Sequence, residues 1–424
     1  MSAAVREPPP PPAVPVPTLA IVALSIAAFG AAASTRVTDP MLPVLARDFG
    51  VGIAAAANAV TVFTCAYGVL QLAYGPVADR VGKYRVIAWA CAASALTALA
   101  CALAPNFALL IVARFLAGAT AGAVIPLSMA WIGDTVPYEQ RQPVLARFLM
   151  GQMFGFSAGS LMGGLGAEHL GYPAPFVALA VWLAVASALL FALLRRGRIA
   201  DGVTAHSVSF AEFVAGIAYV WRQRWARVVL VTVFLEGTFM FGSFAFIATH
   251  LHRHYGISLT FAGSIVMLYG VGGVVFAVLA PMLVRRLGEV GLATAGGAII
   301  CVTLITIALV AAWPLAALAT IAMGMGFYML HNTLQTNATQ MAPERRGTAV
   351  SQFAASLFIG QSVGVALAGM IAEAFDTDLV LLCGAAGVLV VALAFARLRS
   401  ARLAAVRAAD ITDPSAPPKT TRAT

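Results

Sequence analysis

The sequence predicts an all-α membrane protein of twelve transmembrane helices in two six-helix pseudo-repeats. Three observations support this fold class: an apolar composition, twelve long apolar runs, and positions that recur at an offset of 205 or 206 residues. Of the 424 residues, 61% are hydrophobic and 10% are charged, and the mean hydropathy is +0.91. Soluble domains average about 45–50% apolar and about 25% charged residues. The composition excludes a water-soluble enzyme. It also excludes a nucleic-acid-binding protein, because the net charge of +9 has no basic face in water to occupy.

Each predicted span is a run of roughly 20 mostly apolar residues, which is the length that crosses the core of a bilayer. The twelve spans are 18–45, 56–77, 86–104, 107–131, 147–166, 173–194, 228–250, 261–283, 292–312, 314–335, 349–372 and 379–396. The first six form an N-terminal bundle over 18–194, and the last six form a C-terminal bundle over 228–396.

Three polar segments flank and join the two bundles. Segment 1–17 is rich in proline, which predicts a disordered cytoplasmic tail. The linker 195–227 carries apolar residues at helical spacing between Phe210 and Trp221, which predicts an amphipathic helix on the inner membrane surface. Segment 397–424 is predicted to be a second cytoplasmic tail.

Lysine and arginine residues are distributed unequally between the two sides of the membrane. With the N-terminus inside, the cytoplasmic segments hold 22 of the 26 basic residues, whereas the outer loops hold Arg36, Arg47 and Arg253. Cytoplasmic loops of membrane proteins carry such an excess. We therefore predict a multi-pass protein of the cell (inner) membrane with both termini in the cytoplasm.

The two halves resemble each other in sequence. Glu139 and Phe148, around the start of the fifth span, recur as Glu344 and Phe353 at an offset of 205. At the same offset, glycines of the fifth span fall on glycines of the eleventh, namely Gly155, Gly159 and Gly164 on Gly360, Gly364 and Gly369. Parallel repeats of this kind are typical of transporters whose substrate site lies between the halves.

The loop after the second span is similar to the signature loop of the major facilitator superfamily, which it matches at Gly75, Asp79, Arg80, Gly82, Lys83 and Arg85. The segment from Thr38 to Gly50 resembles the end of the first helix in the twelve-helix drug:proton antiporter branch of that superfamily. The fourth span carries Arg114, with Ala117 where the branch has glutamine, and the fifth has Ser160 where the branch has proline. The resemblance covers residues 18–396 and implies the major facilitator fold.

The resemblance also implies a cytoplasmic gate at the signature loop. In the family, the aspartate that Asp79 matches faces the start of the eleventh helix, here near Gly347 and Thr348, and a helix N-terminus favours an anion. Arg80 and Asp134 are its implied charge partners. Alternatively, the basic residues of this loop serve only the topology.

Glycines in the fifth span recur every four positions, which predicts close packing against another helix. The set comprises Gly155, Gly159 and Gly163, with Gly164 beside it. Together with Ser157, it also spells a pattern of serine hydrolases, so an intramembrane enzyme is a remote alternative. The repeat spells the same pattern around Ser362, and packing explains both copies.

Ionisable residues inside spans are costly and are therefore candidate functional residues. Asp39 and Glu236 are predicted to exchange protons. Arg114 and Arg36 are predicted to line the substrate cavity. In the family the first, fourth, seventh and tenth helices surround this cavity, and the tenth here offers polar partners: Tyr328, His331, Asn332 and Gln335. Alternatively, Asp39 is interfacial and pairs with Arg36, and Glu236 makes only a structural hydrogen bond.

No metal site or cofactor is predicted. The five cysteines are irregularly spaced in apolar stretches. The alternating residues His250, His252 and His254 suit a strand better than a helix end, and no carboxylate lies near them in sequence, so a solvated cluster is expected.

The favoured function is proton-coupled efflux of small lipophilic organic compounds by alternating access. The expected partners are such a substrate, protons and the lipid bilayer, with the protein acting as a monomer. The alternative is a proton-coupled permease for a polar metabolite, such as a sugar or an organic anion, with Arg36 and Arg114 binding the substrate. The direction of transport discriminates between the two functions.

The charge distribution predicts the position of the C-terminus. A reporter that is active only in the cytoplasm, fused after Arg399, should be active. A reporter that is active only outside the membrane should be silent at the same position. The opposite result would overturn both the predicted topology and the even number of spans.

Overall fold

The computed structural model describes residues 17–196, 210–310 and 312–412, and it is helical throughout these ranges, with no strand in them. The predicted tails and linker therefore lie partly outside the described residues. The α-helices are α1 Thr18–Arg36, α2 Leu42–Phe49, α3 Ile53–Leu70, α4 Tyr74–Val81, α5 Lys83–Ala102, α6 Phe107–Ala121, α7 Val124–Thr135, α8 Tyr138–His169, α9 Pro173–Arg195, α10 Phe210–Arg222, α11 Arg224–Glu236, α12 Gly242–Tyr255, α13 Leu259–Met267, α14 Tyr269–Leu309, α15 Trp313–Gln340, α16 Arg346–Ala374 and α17 Thr377–Thr412.

The all-α membrane fold predicted from the sequence is confirmed. Ten segments within the described residues are long and apolar enough to cross a membrane. One of them, Leu259–Leu309, covers the eighth and ninth predicted spans, which meet at a break at Gly288. Helix α8 corresponds to the fifth predicted span. It is not among these ten segments because its N-terminal half is polar. The described chain is thus helical at all twelve predicted positions.

Two pairs of glycines end helices at equivalent points of the two halves. Gly50 and Gly256 have φ angles of 63° and 64°, and Gly82 and Gly288 have φ angles of 102° and 61°. Each pair is separated by 206 positions. Because glycine tolerates positive φ without steric cost, these residues allow the same chain reversals in both halves.

The glycine ladder of α8 packs against α1. A Cβ atom added at Gly151, Gly155, Gly159 or Gly163 would lie less than 3.0 Å from backbone atoms of α1 or of the turn that follows it. The equivalent glycines of α16, Gly360 and Gly364, meet the carbonyl groups of Phe234 and Thr238 in the same way. Membrane helices have no hydrophobic driving force toward each other, so contacts between small residues hold these pairs together.

The two halves meet at the end of the bundle that holds Gly50 and Gly256, which we call the outer end. There α8 packs against α13, and α16 packs against α3. Glu168 on α8 accepts a hydrogen bond from the backbone N–H of Thr260 (2.7 Å), and Glu373 on α16 accepts one from that of Ala54 (2.8 Å). Each glutamate thus binds the first turn of a helix in the other half, where the helix dipole favours a negative charge. The outer end is therefore closed by two contacts related by the repeat.

The two glutamates should stabilise the outward-closed conformation. In Glu168→Gln and Glu373→Gln variants the charge is lost, and each helix N-terminal interaction is typically worth about 0.3–1 kcal/mol when exposed. We expect the double variant to label several-fold faster than the parent at a cysteine introduced at Ala57, which lies against Gly369 of the other half, with a membrane-impermeant thiol reagent added from the outside.

Glu344→Gln is the matched control, because Glu344 accepts its hydrogen bond from Tyr219 on the linker helix α10 and not from the N-terminal half. Equal labelling of the double variant and the parent, with both folded, would contradict a closing role for the glutamates.

Candidate substrate and coupling site

Arg36 and Asp39 form an ion pair buried between the two halves. The Arg36 Nη1 donates to Asp39 Oδ2 at 3.3 Å, and both side chains are only 2% exposed. Helix α1 ends at Arg36, and Asp39 begins the 3₁₀ turn Asp39–Met41, so the two residues lie one turn apart. Arg36 Nε and Asp39 Oδ1 are buried and have no hydrogen-bond partner among the described residues. The pair therefore keeps one free donor and one free acceptor.

Aromatic rings enclose the guanidinium of Arg36. Its Cζ lies 4.2 Å from the ring centroid of Phe241, 4.9 Å from that of Phe244 and 5.1 Å from that of Phe156. Phe241 and Phe244 come from the C-terminal half, whereas Phe156 lies on α8. Such rings attract a cation through their negative faces. Arg36 is thus a charged contact between the halves.

Glu236 lies on α11 and is fully buried. Its Oε2 is 2.9 Å from His331 Nδ1, and its Oε1 has no hydrogen-bond partner in the described part of the chain. The His331 ring stacks on Phe327 at 4.8 Å. The helix changes to a π-helical segment, Gly237–Phe241, directly after Glu236. Single turns of π-helix occur frequently at functional sites.

The remaining polar residues predicted on the tenth span take different positions. Tyr328 lies among the rings of Tyr269, Phe276 and Phe327. Asn332 is partly buried and Gln335 is exposed. His331 and Tyr328 therefore border the region between Arg36 and Glu236, and Gln335 faces the surface.

Arg114 is buried, but it binds backbone groups of its own half. Its Nε donates to the carbonyl of Ala59 at 2.9 Å, both of its Nη atoms lie 3.5 Å from the carbonyl of Ser34, and its Cζ lies 4.1 Å from the centroid of Phe63. These contacts tie α6 to α1 and α3. The described polar contacts of Arg114 are with backbone groups, and a role in the substrate cavity stays a prediction.

Sequence reasoning missed Phe241, Phe244, Tyr269 and Gln361. Both side-chain polar atoms of Gln361 are buried without a hydrogen-bond partner in the described structure, and the Tyr269 hydroxyl is likewise unpartnered there. The repeat offset was an available signal, since Phe241 and Phe244 lie 205 positions after Arg36 and Asp39. Gln361 could have been found as a polar residue in an otherwise apolar stretch.

In the signature loop, Lys83 binds two carboxylates of its own half. Lys83 Nζ lies 2.7 Å from Asp134 Oδ2 and 3.4 Å from Asp79 Oδ1, and Arg80 is exposed. A Cβ atom at Gly75 would have no described atom within 4 Å. Gly82 supplies the break between α4 and α5, and Arg85 follows in the first turn of α5.

The family resemblance placed the start of α16 opposite Asp79. A Cβ atom at Gly347 would meet nothing within 4 Å among the described residues, and Thr348 lies next to Gly216 of α10. The contact between Asp79 and the start of the eleventh span stays a prediction.

An apolar groove lies on the side of the N-terminal half, away from the ion pair. It has a volume of about 550 Å³ and lies between α1, α8 and α9, with Phe29, Phe154 and Trp182 among its lining residues and Arg147 and Thr18 toward the inner end. Phe154 is 60% exposed. The groove therefore presents aromatic surface toward the surrounding lipid.

The hydrolase-like serines lie at contacts between the halves. Ser157 packs against Gly270, and the Ser362 hydroxyl donates to the Thr61 carbonyl at 3.0 Å. Both serines lie where α8 or α16 meets the other half. Packing thus accounts for the pattern in both repeats.

Comparison with known proteins agrees with this architecture. The uncharacterised transporter YceJ of Bacillus subtilis is 24% identical over 348 residues, which cover 80% of this chain and 85% of that protein. The multidrug export protein EmrB of Escherichia coli is 27% identical over 143 residues, covering 34% of this chain and 28% of that protein. A crystal structure of a nucleoside transporter, NupG, superimposes with a TM-score of 0.74 at 15% identity, covering 90% of this chain and 99% of that one.

A crystal structure of a peptide transporter, POT, superimposes equally well, with a TM-score of 0.74 at 14% identity over 90% of this chain and 94% of that one. At 14–15% sequence identity, the similarity to these two crystal structures shows a shared fold and nothing further. The profile of the Major Facilitator Superfamily matches residues 24–365, which is most of the chain. The protein belongs to the major facilitator superfamily and is an integral membrane transporter, not an enzyme.

Proposed function

We propose that this protein is a proton-coupled exporter of small, mainly apolar organic molecules, acting as a monomer in the cell membrane with both termini in the cytoplasm. The observation that carries the proposal is the arrangement of Asp39 and Glu236. Both carboxyl groups are fully buried, each has one oxygen without a hydrogen-bond partner among the described residues, and aromatic rings lie between them.

Proton coupling requires a group that is protonated when it faces one side and ionised when it faces the other. Carboxyl groups in water titrate near 4, and an apolar surrounding favours their neutral form. Asp39 is attracted by a permanent cation, Arg36. Protonation of Asp39 removes this attraction and frees Arg36, so the contact of Arg36 with the other half can change during the transport cycle.

Glu236 is suited to act as the second carboxyl group. Its partner, His331, can donate or accept a hydrogen bond through Nδ1, depending on its tautomer, and the unpartnered Oε1 can accept a proton or a substrate hydrogen bond. The π-helical segment after Glu236 lies against α16, where a Cβ atom at Gly237 would meet the Leu357 carbonyl. A change in the charge of Glu236 therefore acts at a point where α11 can move relative to α16.

The aromatic rings support a mainly apolar class of substrate. Phe241, Phe327 and Tyr269 form consecutive ring contacts at 5.2 and 5.8 Å, and such surfaces bind flat or branched apolar molecules with few polar contacts. The lateral groove between α1, α8 and α9 supports access of lipophilic substrates from the lipid. The similarity to EmrB, named as a multidrug export protein, agrees with export.

Alternating access requires the halves to close at one end while they open at the other. Here the two glutamate contacts close the outer end, and the carboxylate of Asp79 lies 3.4 Å from Lys83 Nζ of its own half. We infer that Asp79 binds the N-terminus of α16 when the inner end closes. The transport cycle thus exchanges one set of carboxylate contacts at helix N-termini for another.

A second candidate function is a permease for a polar anion. Arg36 favours it, because its Nε is buried without a hydrogen-bond partner in the described chain and could bind a carboxylate. In that case an anionic substrate would compete with Asp39 for Arg36.

The direction of transport distinguishes the two functions. Cells that express the protein should retain less of a lipophilic cationic dye than cells with an empty vector, and a protonophore should restore retention. Increased uptake of a polar anion, with unchanged dye retention, would favour the permease instead.

The two carboxyl groups should be necessary for coupling. Asp39→Asn and Glu236→Gln fix each group as neutral, so each variant should lose concentrative transport while substrate binding stays within a few-fold of the parent. The measurement is substrate-dependent proton movement in inverted vesicles, together with binding to the purified protein.

Asp48→Asn is the matched control, because Asp48 pairs with Arg47 at the surface. If the double variant Asp39→Asn and Glu236→Gln still concentrates substrate with the parent's pH dependence, proton coupling through these groups is wrong.

A further inference from the structure

Two histidines and two aspartates meet at the outer end of the C-terminal half. The alternating histidines were expected to suit a strand, but this expectation is wrong because α12 remains helical through Tyr255. His250 and His254 therefore lie one turn apart on the same face. His252 is turned away, with its Nδ1 2.7 Å from the carbonyl oxygen of Ile257. The carboxylates come from a segment that is distant in sequence. Asp376 lies between α16 and α17, and Asp378 lies in the first turn of α17.

The distances within the cluster match those between ligands of a tetrahedral metal ion. His250 Nδ1 lies 3.2 Å from Asp378 Oδ1, and His254 Nε2 lies 3.3 Å from both Asp378 Oδ1 and Asp376 Oδ2. In a tetrahedral zinc site with bonds of about 2.0–2.1 Å, neighbouring ligand atoms are about 3.3 Å apart. Three of these side chains, His250, His254 and Asp378, have ligand atoms that all lie within 4.8 Å of one another, close enough to hold one metal ion. Asp376 lies beside them, in contact with His254.

The surroundings of His250 orient its ring as a metal ligand. Its Nε2 lies 3.0 Å from the carbonyl oxygen of Ile307, which can only accept, so Nε2 carries the proton. In the neutral ring, Nδ1 then directs a lone pair toward Asp378. A ligating histidine commonly donates its other N–H to a carbonyl in this way. The Thr377 hydroxyl, 3.0 Å from Nδ1, also lies 3.2 Å from Asp376 Oδ1 and can donate there instead.

Asp378 brings a buried acceptor to the centre of the cluster. Its Oδ1 is buried and has no hydrogen bond of acceptable geometry within the described chain, although both histidine rings are near. Protonating both rings would place two cations in stacked rings whose centroids are 4.6 Å apart. A single divalent cation between the two rings and Asp378 would bind all three groups without that repulsion.

We infer that His250, His254 and Asp378 form a binding site for a divalent transition metal, best matched by Zn²⁺, with Asp376 adding negative charge beside His254. Imidazole nitrogens and carboxylate oxygens are ordinary zinc ligands. The side chains of His254 and Asp376 are 32% and 46% exposed, so the ion can reach the site from solvent. The bound ion fastens the end of α12 to the start of α17 and, through the Ile307 carbonyl, to the end of α14.

The test uses the purified full-length protein without a histidine tag, titrated with Zn²⁺ in competition with a chromogenic chelator. We expect one Zn²⁺ per chain and a higher melting temperature with the ion bound. His254→Ala and Asp378→Asn each remove a ligand at a partly exposed position. Each should weaken binding by more than the ~10–100-fold typical of a lost supporting partner, and each should abolish the rise in melting temperature.

His252→Ala is the matched control, since it removes a histidine from the same helix without touching the cluster, and it should bind Zn²⁺ like the parent. The melting temperature without metal reports whether each variant is folded. Parent protein that binds no Zn²⁺ at this stoichiometry would overturn the inference. Folded His254→Ala and Asp378→Asn variants that both bind as tightly as the parent would overturn it too.

Discussion

The close contact between α8 and α1 sets the position of the charged groups at the centre of the protein. In lipid, helices are held together by short-range packing, and any side chain at Gly159 or Gly163 would push α1 away. Arg36 and Asp39 lie on either side of Val37, whose carbonyl group Gly163 contacts. Phe156, one residue after Gly155, supplies one ring of the cage around Arg36. The glycine ladder therefore fixes both the ion pair and part of its aromatic surroundings.

The two halves share the features that shape the fold, but they differ at the residues for which a function is proposed. The two halves share their helix breaks, their glycine contacts and the two glutamates of the outer end, all at an offset of 205 or 206 residues. They differ where function is proposed, since Phe241 and Phe244 stand where the first half has Arg36 and Asp39. A duplicated ion pair would place two arginines face to face. Aromatic rings instead give the single arginine a partner that attracts it across the interface.

The fold could be predicted from the sequence because span length, glycine spacing and charge distribution are local properties. Asp39 and Glu236 could be selected for the same reason, since a charge in an apolar run is costly wherever it points. The hydrogen-bond partners of Arg114 could not be predicted, because they are carbonyl groups on two other helices. In the proposed cycle the partner of Asp79 depends on the conformation, which no sequence pattern records. The cluster at His254 joins segments more than 100 residues apart, so only the fold brings its carboxylates into reach.

The incomplete hydrogen bonding of the buried carboxyl groups is consistent with a protein that must change state repeatedly. Taking an ion pair out of water costs several kcal/mol per ion, and only good geometry with further hydrogen bonds recovers that cost. A fully satisfied pair at Arg36 and Asp39 would hold one conformation strongly. Shifting a two-state equilibrium from 1:99 to 99:1 requires about 5.5 kcal/mol. If the ion pair stabilised one conformation by more than this, the binding of a single proton would not reverse the equilibrium. In the proposed mechanism, the 3.3 Å separation and the unpartnered Nε and Oδ1 keep the pair weak enough for protonation of Asp39 to reverse the balance between the two conformations.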